Sequence, residues 1–113
     1  MPSELKRKSD RAARVYLEMR GFKVLEQNWG LSRNKIDLIA SKDKTVYFIE
    51  IKIHDNFQKD LKLDINTSSK LNKIRQAGES WMDDSKWPGK YVFSTLELAE
   101  ESLTVISFND SLV

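Results

Sequence analysis

Ile36-Asp37-Leu38-Ile39-Ala40, Ser41-Lys42-Asp43-Lys44 and Thr45-Val46-Tyr47-Phe48-Ile49-Glu50-Ile51-Lys52-Ile53 form the stretch on which the fold turns. Two apolar runs rich in β-branched and aromatic residues flank a polar tetrapeptide, which predicts strand, tight turn, strand. Alternate side chains of a strand share a face, so Ile49, Ile51 and Ile53 point one way and Glu50, Lys52 and His54 the other. Asp37 interrupts an equally apolar run. The tight turn then sets Asp37 and Glu50 side by side across the strand pair. Two adjacent carboxylates repel, and one pKa rises unless a cation joins them. A hard divalent ion such as Mg²⁺ does this with few protein oxygens. Lys52 follows on the same face, where it would sit beside such an ion and stabilise charge developing on a phosphate. The alternative is a solvent-facing strand with plain ion pairs, Asp37–Lys52 or Glu50–Lys35. The apolar flanks argue against an exposed edge.

Working outward, residues 3–20 predict a helix. Ser3 is a candidate N-cap, and Leu5, Ala12, Ala13, Val15, Tyr16, Leu17 and Met19 cluster toward one side. Gly21 follows, where a helix stops on a left-handed residue. Residues 22–26 predict a short strand, and 28–34 carry turn chemistry. Residues 54–66 are polar without clear periodicity and predict a loop, long enough to lie over a substrate. Residues 67–81 predict a second helix, with Leu71, Ile74, Ala77, Gly78 and Trp81 on one face. Pro88-Gly89 predicts a turn, and 91–95 and 103–107 two more strands, joined through the acidic stretch Glu97 to Glu101. The order is αβββαββ. Three successive strands suggest antiparallel neighbours and the second helix a crossover, so the expected class is α/β, a mixed central sheet flanked by helices.

The 113 residues suffice for one domain, expected over residues 1–113. With no cysteine, disulfides, thiol catalysis and Cys-based zinc sites are excluded, and any Ser-His-Asp triad would have to use His54, the one histidine. His54 lies at the end of the site face and reads either as a loop histidine or as a contact to the scissile phosphate. No apolar run approaches the roughly 18–20 residues of a membrane span. The first residues lack the apolar core of a secretory signal, so a cytoplasmic location is expected. Net charge is only +2, but residues 1–40 hold nine Lys and Arg against five Asp and Glu, and residues 91–113 hold none against four. A basic front suggests a polyanion-facing side, with ordinary surface charge as the alternative. Arg7, Arg11 and Arg14, with Lys6 and Lys8, read either as a phosphate-tracking stripe on helix one or as its solvated face. Lys70, Lys73 and Arg75 of helix two read the same two ways. Trp29 reads as packing beneath its turn rather than as a base-stacking platform.

Asp37, then a hairpin, then Glu50-x-Lys52, preceded and followed by helices, resembles the PD-(D/E)XK nuclease superfamily. The resemblance is closer still to the YraN-type bacterial family related to Holliday-junction resolvases. It is carried by Asp10, Tyr16-Leu17, Gly21-Phe22, Asn28-Trp29, Ile36-Asp37-Leu38-Ile39-Ala40, Phe48-Ile49-Glu50-Ile51-Lys52 and Lys70 to Ala77, in that order, over nearly residues 4–108. The resemblance implies a restriction-endonuclease-like core and metal-dependent hydrolysis of DNA, with Mg²⁺ or Mn²⁺ as cofactor. It makes Asp37, Glu50 and the carbonyl of Ile51 the metal ligands and Lys52 the catalytic lysine. Asp10 matches the family's helix-one glutamate, which would orient water or a second metal, and Lys70 a phosphate-contacting lysine. Three departures stand out: Asn34-Lys35 replaces the family's Gly-Glu, Asp10 is shorter than glutamate, and Ile53-His54 follows the lysine where the family often has another basic residue. Lys35 shares a strand face with Asp37, so it is expected either to pair with that acid or to reach a phosphate. The expected partner is nucleic acid, DNA rather than RNA, with no membrane. A junction substrate would require a homodimer, to which the apolar stretch Leu103 to Ile106 would contribute. The rival readings are a non-cutting nucleic-acid-binding module on the same fold and a protein-interaction domain.

Overall fold

The computed structural model describes residues 4–30, 35–54 and 68–109, with side chains from residue 72 onward in the last segment. Ser3, Asn34, residues 55–66 and the side chains of Lys70 and Leu71, on which expectations were placed, lie outside the described residues. The elements are α1 (Glu4–Met19), β1 (Lys23–Trp29), β2 (Ile36–Lys42), β3 (Thr45–His54), α2 (Ser68–Ser85), β4 (Lys90–Ala99) and β5 (Val105–Asn109), the order expected from the sequence. The strands form one sheet in the order β1-β2-β3-β4-β5. β1, β2 and β3 pair antiparallel, β3 and β4 pair parallel, and β5 returns antiparallel to β4. The parallel step is the one that α2 carries, as a crossover must. The fold is thus mixed α/β, a five-stranded sheet flanked by helices in the manner of a restriction-endonuclease-like core.

Local chemistry explains the punctuation. α1 stops at Gly21, whose φ is 91°. The Phe22 N–H donates to the Leu17 carbonyl and the Gly21 N–H to the Glu18 carbonyl, so two end carbonyls are satisfied by a Schellman pattern. The β2–β3 turn is Asp43-Lys44, both with positive φ (53° and 67°), between paired Lys42 and Thr45. That is the backbone of a two-residue type I′ hairpin, whose twist matches the strands it joins.

Several boundaries differ from the sequence expectation. β1 continues through Asn28 and Trp29, because Gln27 pairs with Leu38 and Trp29 with Ile36. The turn chemistry of Asn28 surfaces instead as a φ of 50° inside the strand. α2 runs past Trp81 to Ser85. β4 reaches Ala99 because it pairs with β3 along the whole length, from Thr45–Lys90 to His54–Ala99. Glu97 is therefore a strand residue and not part of an acidic connector. β5 begins only at Val105, since Leu103 lies in a turn with φ 55°.

The sheet has a core on each face. Against α1 pack Leu38, Ala40, Ile49, Leu96 and Leu98, meeting Ala13 and Leu17. Against α2 pack Ile36, Ile39, Val46, Phe48 and Phe93, meeting Ala77 and Trp81. Gly78 lets α2 approach closely: a Cβ there would meet the Phe48 ring at 3.1 Å and that of Phe93 at 3.2 Å. Among the described residues no helix is long and apolar enough to cross a membrane.

Candidate active site

The β2–β3 ladder zips from Lys42–Thr45 to Leu38–Ile49 and pairs no further. Beyond the last pair, Asp37 precedes Leu38 on β2 and Glu50 follows Ile49 on β3, Glu50 on the face of β3 that continues from Phe48. At this fork the Ile51 N–H donates to Oδ2 of Asp37 at 2.8 Å. A side chain thus replaces the neighbouring strand as acceptor, which satisfies a donor that would otherwise be left in a half-buried site. The Ile51 side chain turns the other way and packs on the α1 core, as the alternation of the strand requires.

Asp37 and Glu50 are both largely withdrawn from solvent, with side chains 22% and 16% exposed. Burial pushes the Asp37 carboxyl above its ordinary value; the Ile51 N–H and the Lys6 ammonium pull it down, and the charge of Glu50 pushes it up. Lys52 lies next along the face, its Nζ 3.8 Å from Oε2 of Glu50.

α1 brings the remaining charges. Its buried stripe of Leu17, Ala13 and Asp10, followed one more turn toward the N-terminus, ends on Lys6. Lys6 Nζ lies 3.1 Å and 3.3 Å from the two carboxylate oxygens of Asp10, 3.1 Å from Oδ1 of Asn28 and 3.3 Å from Oδ1 of Asp37. Burial alone would lower the Lys6 pKa, but Asp37 and Asp10 outweigh it and raise the group above an ordinary lysine. Asn28 completes the cluster, its side-chain amide donating to Oδ2 of Asp10 at 3.2 Å. Its left-handed backbone aims the amide at both partners. Asparagine tolerates that conformation better than most residues, at a cost that functional clusters often carry.

The sequence-predicted residues Asp10, Asp37, Glu50, Ile51 and Lys52 therefore converge at one fork. The ion pairs differ from those expected of a plain strand. Asp37 pairs with Lys6 of α1 and Glu50 with Lys52 of its own strand, while Lys35 is exposed. Lys35 sits just before β2 begins, whereas Lys6 is delivered from above the fork by the helix. Of the cationic stripe, Arg7 and Arg11 are exposed and Arg14 is half-buried. Lys73 is exposed on α2, and Arg75 is held 5.7 Å over the Phe93 ring. Lys6 and Asn28 are the two residues whose place in the cluster sequence reasoning missed. The signal for Lys6 was there, as a charge continuing the apolar stripe of α1 at helical spacing. Asn28 left only a turn-forming residue in a strand.

Further along the face, His54 Nε2 lies 2.9 Å from Oε1 of Glu97. This histidine is a strand residue with an acid of the neighbouring strand at ion-pair distance, not a loop histidine. Beside the fork, a groove of about 770 Å³ runs between the end of β1 and α2, lined by Gln27, Asn28, Trp29, Gln76, Ser80, Asp83 and Asp84. Trp29 also packs on the α2 core.

The oxygens that the sequence assigns to a metal, two carboxylates and the Ile51 carbonyl, are hard donors, and a cation already lies against Asp37 in the form of the Lys6 ammonium. These residues fit a hard divalent ion. Among the described residues no three acidic or histidine side chains converge as a full ligand set. Such an ion would therefore draw the rest of its shell from water and substrate, the habit of Mg²⁺.

The mixed sheet flanked by helices defines an α/β protein with a restriction-endonuclease-like core, and two carboxylates and a lysine gather where β2 and β3 part. The chain belongs to the family described as "Uncharacterised protein family UPF0102", whose model matches residues 9–107; this is the YraN-type family that the sequence resembles. The chain is similar to a UPF0102 protein of Cytophaga hutchinsonii, 29% identical over 96 residues, covering 85% of each chain. It is similar to a UPF0102 protein of Vibrio parahaemolyticus, 26% identical over 88% of this chain and 75% of the relative. A UPF0102 protein of Chlorobium chlorochromatii is 33% identical over 70% of this chain and 61% of the relative.

Proposed function

We propose that the protein is a metal-dependent endonuclease that hydrolyses phosphodiester bonds in DNA at the Asp37–Glu50–Lys52 fork. The observation that carries this reading is the placement of two half-buried carboxylates and a lysine where β2 and β3 part, with the Ile51 N–H committed to Asp37. Asp37, Glu50 and the carbonyl of Ile51 would hold Mg²⁺ or Mn²⁺. When bound, such an ion supplies Lewis acidity toward a phosphate oxygen and makes a nearby water more acidic.

The chain's own groups do the rest. Lys52, held near Glu50, offers N–H donors to a non-bridging phosphate oxygen and stabilises the charge that grows there as water adds to phosphorus and one P–O ester bond breaks. Asp10, buried beside the fork, orients water or a cation. Arg7 and Arg11 lie on the same helix as Lys6, whose tip enters the fork, so phosphates flanking the scissile one would run along α1. Lys35 and Arg14 would extend this basic surface, and the exposed Lys73 of α2 would add a cation from the other face of the sheet. The acidic wall of the neighbouring groove, Asp83 and Asp84, turns phosphates away from the opposite side. Branched or junction DNA is the proposed substrate form. Two symmetric cuts would require a homodimer, and β5, an edge strand with Ile106 56% exposed, offers it an edge. The enzyme would work in the cytoplasm.

One observation favours a second reading, a module that binds nucleic acid without cutting: Lys6 already neutralises Asp37 at 3.3 Å. A labelled panel of single-stranded, duplex, flap and four-way-junction DNA separates the two. The nuclease reading expects products with Mn²⁺ or Mg²⁺ and none with EDTA, the panel naming the substrate. Salt-sensitive binding with no product under any metal would transfer the assignment to the module.

A further inference from the structure

Lys6 is not an ordinary surface cation. Four oxygens from three side chains surround its ammonium: both of Asp10, Oδ1 of Asn28 and Oδ1 of Asp37, all within 3.3 Å. An ammonium has three protons to give, so it shares them over this set. Carboxylate and amide oxygens in this number are also the donors a hard divalent ion takes. The set is held in place from outside. Asp10 lies one helical turn from Lys6, and the Asn28 amide, tied to Asp10 at 3.2 Å, has its oxygen turned toward Lys6. The position lies on the far side of Asp37 from Ile51, whose N–H takes the other carboxylate oxygen. Each carboxylate oxygen has more than one lone pair, so Asp37 can meet the ammonium and a separate cation shared with Glu50.

We propose that the Lys6 ammonium permanently fills the second-cation position between Asp10 and Asp37, so that the site takes one divalent ion, at Asp37 and Glu50, and not two. The inference rests on the metal-dependent reading above and goes beyond it by fixing the stoichiometry and giving Lys6 a role. Lys6 is a positioning residue here. It supplies a fixed charge that binds Asp10 and Asp37 together and needs no metal from solution. It also arrives with the fold, so half of the cationic site is preassembled before any ion binds.

The test is the number of Mn²⁺ ions bound by the full chain, counted by electron paramagnetic resonance of the free ion, for the wild type and Lys6→Met. Methionine keeps most of the length of the side chain, one atom short, and removes the charge. The expected result is one Mn²⁺ in the wild type and two in Lys6→Met, returning to one in Lys6→Met with Asp10→Asn. Circular dichroism checks that each variant folds, and Lys6→Gln replaces Lys6→Met if the latter does not. Two ions in the wild type would overturn the proposal, since the ammonium would then have been displaced. One ion in both proteins would also overturn it and leave the metal-dependent reading standing. No ion in the wild type but one in Lys6→Met would make Lys6 a block and not a substitute, again against the proposal. No ion in either protein removes the metal-dependent reading itself, and the proposal with it.

Discussion

The backbone N–H of Ile51 donates to Oδ2 of Asp37 at 2.8 Å. This bond ties the side chain of one strand to the main chain of the next at the point where the two part. It fixes the Asp37 carboxylate and turns the Glu50–Lys52 segment toward it. Asp37 meets Ile51 and Lys6 together, so its charge is both needed and costly.

That cost gives a pH signature. Burial raises the folded-state pKa of Asp37 above 3.8. Between 3.8 and the raised value the folded protein holds the Asp37 proton while the unfolded chain has lost it. The contribution to stability is therefore present below 3.8 and is lost as pH rises through the folded value. Asp37→Asn has no such proton. Urea unfolding of both proteins from about pH 3 to about pH 7 should show the variant gaining on the wild type as pH rises. Parallel curves would mean that the carboxylate carries no net burial cost.

Asn28 separates backbone from side-chain effects. Asn28→Gly keeps the left-handed conformation and loses the amide contacts to Lys6 and Asp10, an expected loss of about 1 kcal/mol. Asn28→Ala loses the same contacts and adds strain at φ 50°, for about 1–2 kcal/mol more. Chemical denaturation should therefore rank wild type above Gly above Ala. Equal Gly and Ala variants would show that the backbone there relaxes freely.

Gly78 tests the packing that carries α2. Alanine normally gains up to about 1 kcal/mol over glycine within a helix. Here its methyl would meet Phe48, which is 1% exposed and packed edge-on to Trp81. Phe48 has little room to give, so Gly78→Ala should destabilise by about 1–3 kcal/mol, read from the urea midpoint. A stabilised variant would show that α2 can shift outward at no cost.

If DNA lies along α1, Arg7→Ala should weaken binding to every DNA form about equally and reduce the salt slope by about one. Arg75→Ala should leave that slope unchanged, because Arg75 is engaged over Phe93. Binding isotherms at three salt concentrations check both. Equal slopes for Arg7→Ala and wild type would remove α1 from the phosphate path.

Much of this was legible in the sequence because strand alternation is a strict rule. Asp37, Glu50 and Lys52 interrupt apolar runs at a spacing that a tight hairpin converts into adjacency, and the hairpin is real: Asp43-Lys44 takes the I′ backbone. Gly21 marked the end of α1 in the same direct way. The reach of β4 was less obvious, because Glu97 reads as acidic surface until Leu96 and Leu98 are seen buried on either side of it. The Lys6 cluster was hidden for another reason. Its partners come from α1, β1 and β2, and periodicity within one element cannot say which charge another element will meet.

In the proposed mechanism Lys52 acts on a phosphodiester at this fork, and single-turnover cleavage reads that step. The wild type, Lys52→Ala and Asp37→Asn would be compared on the preferred DNA substrate with saturating Mg²⁺. Lys52→Ala should remain folded and lose about 10²-fold or more in rate, and Asp37→Asn should cut no better. A wild type that cuts at a rate unchanged in Lys52→Ala would place the chemistry elsewhere and contradict the account.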